Sequence, residues 1–176
     1  QNGQNYGDVG KIFLYKINGD DVTLVQTVQA PSIASSAYFG HRLAISGNRL
    51  AVGEYRRDYD NHWTAGAVYL YEIQSDGTVQ STFTIHSAVP RYDGRFGISL
   101  ALSENRLIVG AEREDSENDS HAGAAYLYSI SEDGNPTLLE RFTHPQGRSD
   151  DYFGGYLSVG VAGQNAIIGA RNFDLP

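Results

Sequence analysis

The stretch with the most chemistry in it is Glu54–Gly66, "EYRRDYDNHWTAG". It gathers Tyr55, Arg56, Tyr59 and Trp63, and Trp63 is the only tryptophan in the chain. Tryptophan, tyrosine and arginine carry most of the energy in binding hot spots, and flat aromatic faces also stack on sugar rings. The corresponding stretch, Ala111–Gly123, reads "AEREDSENDSHAG" and has no aromatic residue. The aromatic loop is therefore individual and not a demand of the repeated scaffold. Two uses are open to it: capture of a protein or carbohydrate ligand, or packing against a neighbouring structural edge.

That second stretch carries oxygen ligands instead. In "DSENDSH" (Asp115–His121), Asp115, Glu117 and Asp119 fall at alternate positions. Hard-cation loops place their carboxylates in this way, but the central glycine of an EF-hand loop is missing. Asp58, Asp60 and Asn61 hold the same offsets in the first stretch as Asp115, Glu117 and Asn118 in the second. The acids thus recur, and they equally suit a solvated loop. Asn118-Asp119-Ser120 is a formal glycosylation sequon. His86 and His144 each stand at the end of the fourth strand of their repeat. No Gly-x-Ser-x-Gly, His-Glu-x-x-His or phosphate-loop motif occurs, and no carboxylate pair sits in an apolar run that would separate an acid from a base. No catalytic residue is assigned, and a non-enzymatic role is expected.

The whole composition narrows the partners. The 176 residues are 40% hydrophobic and 19% charged. That balance suits a globular chain. The net charge is -8, with lysine only at Lys11 and Lys16 and no basic stripe. Nucleic acid is therefore not an expected partner. The acidic balance disfavours anionic membranes, and no apolar run approaches the ~20 residues that a spanning helix needs. There is no cysteine, hence no disulfide or thiolate metal site. The chain starts at Gln1 without an initiating methionine, and a mature product or a piece of a longer chain is expected.

These residues hang on a repeat. Phe39-Gly40, Phe96-Gly97 and Phe153-Gly154 are spaced by 57 and 57; Gly53, Gly110 and Gly169 by 57 and 59. "GKIFLY", "GAVYLY" and "GAAYLY" begin at Gly10, Gly66 and Gly123. Two independent blocks in one register mark a copied supersecondary unit. Each copy parses into four short strands separated by turn residues, as in an antiparallel meander. "GAVYLY" is apolar on both faces, so sheets must cover it on both sides, and stacking small sheets around an axis achieves that. The expectation is an all-β chain of β-propeller blades with four antiparallel strands each, about three blades' worth. Residues 1–37 give strands three and four of a blade. Residues 38–94 and 95–151 give complete repeats, and 152–176 give strands one and two of another blade. In this reading each phenylalanine wedges between blades, and its glycine permits close backbone approach. Closed propellers have ~4–8 blades, so further blades are expected, from the same longer chain or from another copy. The closing half-strands are placed at Gly155–Val161 and Asn165–Ala170.

The order Phe-Gly, strand, Val-Gly-Ala, polar loop, Gly-Ala-x-Tyr-Leu-Tyr resembles the FG-GAP repeat. Here it is carried by Phe39-Gly40, Phe96-Gly97, Phe153-Gly154, Val52-Gly53-Glu54, Val109-Gly110-Ala111 and Ile168-Gly169-Ala170. The chain departs from the motif at Glu54 and at Glu112, where proline is usual. The resemblance implies an extracellular or cell-surface propeller of integrin-like type, serving binding or adhesion. The alternatives are a structural subunit of a head-to-tail assembly and a non-catalytic piece of a larger secreted enzyme. Integrin-type repeats also often bind calcium in an acidic turn between Phe-Gly and Gly-Ala. Here that turn reads "SGNR", "SENR" and "VAGQN", so no cofactor is carried over, and folding without calcium is expected.

Overall fold

A computed structural model describes residues 7–114, 120–144, 146, 148–156 and 158–172. Among them are twelve strands: β1 (Ile12–Asn18), β2 (Asp21–Val28), β3 (Arg42–Ser46), β4 (Arg49–Glu54), β5 (Ala67–Ile73), β6 (Val79–Ile85), β7 (Phe96–Ser103), β8 (Arg106–Ala111), β9 (Ala124–Ile130), β10 (Pro136–Thr143), β11 (Val159–Ala162) and β12 (Asn165–Ile168). They form two four-stranded meanders, β3-β4-β5-β6 and β7-β8-β9-β10, and two two-stranded sheets, β1-β2 and β11-β12. All pairings within these sheets are antiparallel. No helix long and apolar enough to cross a membrane occurs among the described residues.

The pairing fixes each sheet's place in the repeat. β5-β6 bulges between Leu70 and Tyr71, and Thr82 is left out of the register; β9-β10 and β1-β2 bulge at the same place, at Leu139 and Val25. Val25, Thr82 and Leu139 are evenly spaced at the repeat period. The sheet β1-β2 is therefore the outer half of a blade, strands three and four. The turns joining β3 to β4 and β7 to β8 are two residues long, Gly47-Asn48 and Glu104-Asn105. Each has positive φ at its first position, as type II′ turns require. β11 starts later than the sequence suggests, at Val159 rather than Gly155. A turn fills the gap, in which Ser158 Oγ donates to the Gly155 carbonyl at 2.7 Å.

The four sheets stack face to face, and three apolar layers lie between them. Leu50, Val52, Tyr69 and Tyr71 of the first complete blade pack on Ile12 and Val28 of β1-β2. Ala51, Val68, Leu70 and Ile85 on its other face pack on Phe96, Leu107, Tyr126 and Tyr128 of the second. Ile108 and Ala125, on the far face of that blade, meet Phe153 and half-buried Val159 and Val161. Alternate residues of β4, β5, β8 and β9 thus enter different layers, which is why these strands read apolar on both faces. Strand β7 lies beside β3 on one side and β11 on the other, so the first strands of successive sheets adjoin. This is the geometry of propeller blades around an axis, in an arc that forms no closed barrel.

The repeated motif makes the inter-blade seam. Phe96 is fully buried and meets Tyr126 edge-on, ring centroids 5.3 Å apart; Phe39 meets Tyr69 in the same way at 5.5 Å. Such edge-to-face pairs add ~0.5–1.5 kcal/mol to area burial. Phe96 N–H donates to the Ala65 carbonyl at 2.9 Å, and Phe153 N–H to that of Ala122 at 2.9 Å. The backbones therefore run in contact. A Cβ on Gly66 (φ +92°) would fall 2.0 Å from the Phe96 carbonyl oxygen, and one on Gly110 would fall 1.9 Å from that of Gly154. Gly53 abuts Gly97 in the same way, whereas Gly169 faces the Ser158 side chain. Gly40, Gly97 and Gly154 all have positive φ.

Candidate functional site

The aromatic loop is held rigidly before any ligand is considered. Tyr59 and His62 exchange main-chain hydrogen bonds of 3.1 and 2.9 Å. Asp58 Oδ1 accepts the Thr64 N–H at 2.9 Å and closes the loop at its base. The loop is then laced to the entrance of the next blade. Asp93 N–H donates to the Trp63 carbonyl at 2.8 Å and Arg95 N–H to that of Thr64 at 3.0 Å.

The four residues singled out in the sequence divide into two groups. Tyr59 and Trp63 stand on the outer loop. Trp63 is 65% exposed and lies 6.1 Å, centroid to centroid, from Tyr92, which is also 65% exposed. Tyr59 stacks flat on His86, centroids 3.6 Å apart and planes 3° from parallel. His86 also approaches the Gly66 carbonyl at 3.5 Å, and burial holds its pKa below the usual histidine value. Tyr55 instead points inward. It is buried, lies 4.5 Å from the His41 ring, and is flanked by Tyr38. Exposed Arg56 lies over Tyr38 at 5.0 Å, so it belongs with Tyr55 and not with Trp63.

Sequence reasoning missed Tyr92 and the pairing of Tyr59 with His86. In stacked blades, the loop after a blade's second strand runs beside the entry to the next blade. The segment "PRYDGRFG" ahead of Phe96 could have been matched to the aromatic loop on that ground.

Around Tyr55 lies an ionic network, also unread in the sequence. Asp93 accepts from Arg95 Nε at 2.9 Å and from Arg113 Nη1 at 2.6 Å. Despite partial burial, these two guanidiniums hold the Asp93 carboxyl below the usual range. Glu112 is buried and takes Arg95 Nη1 at 3.1 Å, with Arg171 at 3.7 Å. Counted from Gly53, Gly110 and Gly169, the residues Tyr55, Glu112 and Arg171 occupy one repeat position. One scaffold position thus supplies an aromatic, an acid and a base to the same end of the blades.

Two further carboxylates are fully buried between blades. Glu114 accepts from the Tyr126 hydroxyl at 2.6 Å, Ser87 Oγ at 3.1 Å and Arg141 Nε at 2.8 Å. Glu54 takes the Tyr69 hydroxyl at one oxygen, and its other oxygen has no hydrogen-bond partner among the described residues. Burial pushes the Glu54 carboxyl up, partly offset by Tyr69 and the Arg57 charge. Both groups lie away from solvent.

The cation candidates Asp115, Glu117 and Asp119 lie outside the described residues. Among the described residues no cluster of three or more histidines and carboxylates is placed to hold a metal ion.

Four-stranded antiparallel blades, stacked in register with a Phe-Gly seam, define a β-propeller repeat protein. The family model for the FG-GAP repeat matches residues 22–71 and 91–128, half of the chain, and the chain belongs to that family. No curated protein matches it as a relative.

Proposed function

We propose that the chain is a non-catalytic propeller module, displayed outside the cell, that captures a glycan on the platform of Trp63 and Tyr92. The observation that carries this reading is the pair itself: two large rings left mostly in water, 6.1 Å apart, on two loops whose backbones are joined by the Asp93 N–H to Trp63 carbonyl hydrogen bond. Loop backbones held in place before binding lose little freedom when a ligand arrives, so more of the contact energy appears as affinity. Exposed Asp60 and Asn61 in the same loop offer oxygens and amide hydrogens to sugar hydroxyls. Glu54 and Glu114 lie away from solvent, out of a substrate's reach, which supports a binding role over a hydrolytic one. The extracellular setting rests on family membership.

Trp63 is the only tryptophan, so its emission reports on the site alone. Titration with β-1,4-linked hexasaccharides of glucose and of N-acetylglucosamine should shift that emission saturably. Tyr92→Ala should weaken binding tenfold or more, as for a hot-spot ring, with an unchanged melting temperature. Emission that stays constant to millimolar sugar would refute the glycan reading.

A further inference from the structure

We infer that Asp93 is the positioning residue of the ring pair: its carboxylate clamps two arginines and so fixes Tyr92 at the spacing from Trp63 that captures a sugar. This rests on the glycan reading above and adds what holds that site in shape. Tyr92 stands on a tight turn, in which the Gly94 N–H donates to the Arg91 carbonyl at 3.1 Å. Asp93 comes next, with φ +54°, the positive value that the third position of a type II turn requires. Tyr92 thus occupies the corner before it and leaves its ring mostly in water.

The main-chain lacing of this joint needs no carboxylate. Ser36 and Asp150 stand three residues before Phe39 and Phe153, as Asp93 does before Phe96. Both have positive φ, and their N–H groups donate to the Gly7 and Ser120 carbonyls at 2.7 and 3.0 Å. Gly7, Trp63 and Ser120 each lie three residues before the glycine that opens the next strand block, Gly10, Gly66 or Gly123. The bond from Asp93 N–H to the Trp63 carbonyl therefore recurs at three joints, and at one of them a serine makes it.

The side-chain clamp is individual. Asp93 accepts from Arg95 Nε at 2.9 Å and from Arg113 Nη1 at 2.6 Å, and Arg95 reaches on through Nη1 to buried Glu112 at 3.1 Å. Glu112 and Arg113 directly follow β8, so the turn that carries Tyr92 is tied to the second blade as well as to the loop of the first. Ser36 has no charge to offer, and Asp150, its side chain 61% exposed, meets His121 Nδ1 at 3.1 Å. The ring pair is individual too. The counterparts of Trp63 and Tyr92 are Gly7 and Ser35 at one joint and Ser120 and Ser149 at the other. A double-arginine clamp that the joint itself does not need, at the joint where two rings stand in water, is accounted for by the rings. Charge-assisted hydrogen bonds are strong and directional. Against the cost of partial burial, those from Arg95 and Arg113 hold the Asp93 carboxyl below its usual range, so the clamp is charged at neutral pH. It keeps the Tyr92 turn from drifting relative to Trp63, and ordering that a ligand would otherwise impose is already in place.

Asp93→Asn removes the charge and spares the turn, because asparagine also tolerates positive φ. In the sugar-free protein, proton NMR cross-peaks between the Trp63 and Tyr92 rings should be lost in this variant, while those between Phe96 and Tyr126 stay. Arg113→Gln should weaken the Trp63–Tyr92 cross-peaks in the same direction, and Arg113→Lys, which keeps the charge, should retain them. Followed by Trp63 emission, affinity for the β-1,4-linked N-acetylglucosamine hexasaccharide should fall about tenfold in Asp93→Asn as preorganisation is lost. Cross-peaks that persist in both Asp93→Asn and Arg113→Gln would overturn the inference without any sugar present. So would a loosened Asp93→Asn that binds the hexasaccharide as tightly as wild type. Cross-peaks that respond as stated in a protein that binds no sugar would refute the glycan reading alone and still support Asp93 as the residue that positions the rings.

Discussion

Glu54 and Glu114 are both buried against a repeat-equivalent tyrosine, but among the described residues only Glu114 forms an ion pair with arginine. Removing Glu114 takes away the ion-pair partner of Arg141 and leaves the Tyr126 hydroxyl with Ser87 Oγ as its remaining acceptor. Glu114→Ala should cost about 3 kcal/mol by chemical denaturation, at the low end for a broken buried pair because Arg141 keeps some contact with water. Glu54 works in the opposite sense. Its folded pKa is raised above the unfolded value of ~4.3, so the folded state holds the proton more tightly. Its contribution is greatest below that unfolded value and is lost as pH rises through the folded one. Glu54→Gln, which mimics the neutral acid, should therefore be more stable than wild type at pH 8 and no more stable at pH 4. Comparing the two proteins at each pH isolates Glu54 from His41 and His86. Burial lowers the pKa of both histidines, so their contribution is lost as pH falls. An equal difference at both pH values would contradict this assignment. The sequence marked Glu54 as a departure from the motif. It could not reveal that Tyr69 and Glu54 meet, because that contact depends on which face of β4 and β5 each residue occupies.

At the scale of the strands, the seam sets tolerance. Phe96→Ala removes a fully buried ring between two blades. It should cost ~3–5 kcal/mol, lowering the melting temperature by on the order of 10 °C. Gly66→Ala combines a positive φ with a carbonyl oxygen 2.0 Å from the new Cβ. It should cost well beyond the ~1 kcal/mol of the conformational term alone. Gly47→Ala, also at positive φ but with open space around it, should stay near that figure. Melts of the two variants side by side test the seam; equal costs would remove it. The repeat period made the strands and the Phe-Gly seam legible, since both depend on residues that recur. The Trp63–Tyr92 pair was not legible, because it joins two loops that do not recur. The late start of β11 was hidden as well: the spacing from Gly154 to Gly169 is two residues longer than from Gly97 to Gly110, and the bond from Ser158 back to Gly155 has no composition signal.

The whole molecule is an arc of stacked sheets whose apolar faces stay exposed at both ends. The acidic turn of integrin-type repeats is replaced by two-residue turns between β3 and β4 and between β7 and β8. Thermal melts with and without excess chelator should coincide; a fall of many degrees would show that a cation holds the fold. The central claim is that the sheets radiate from an axis instead of stacking in parallel. Spin-label distances test it most directly in this cysteine-free chain, with labelled protein diluted into unlabelled. Asn48 and Gln164 sit in turns between first and second strands, two blade steps apart. Asp20 and Asp133 sit in turns between third and fourth strands, also two steps apart. Blades around an axis predict a longer separation for the Asp20–Asp133 pair than for the Asn48–Gln164 pair; equal separations would contradict the propeller and point to a flat stack.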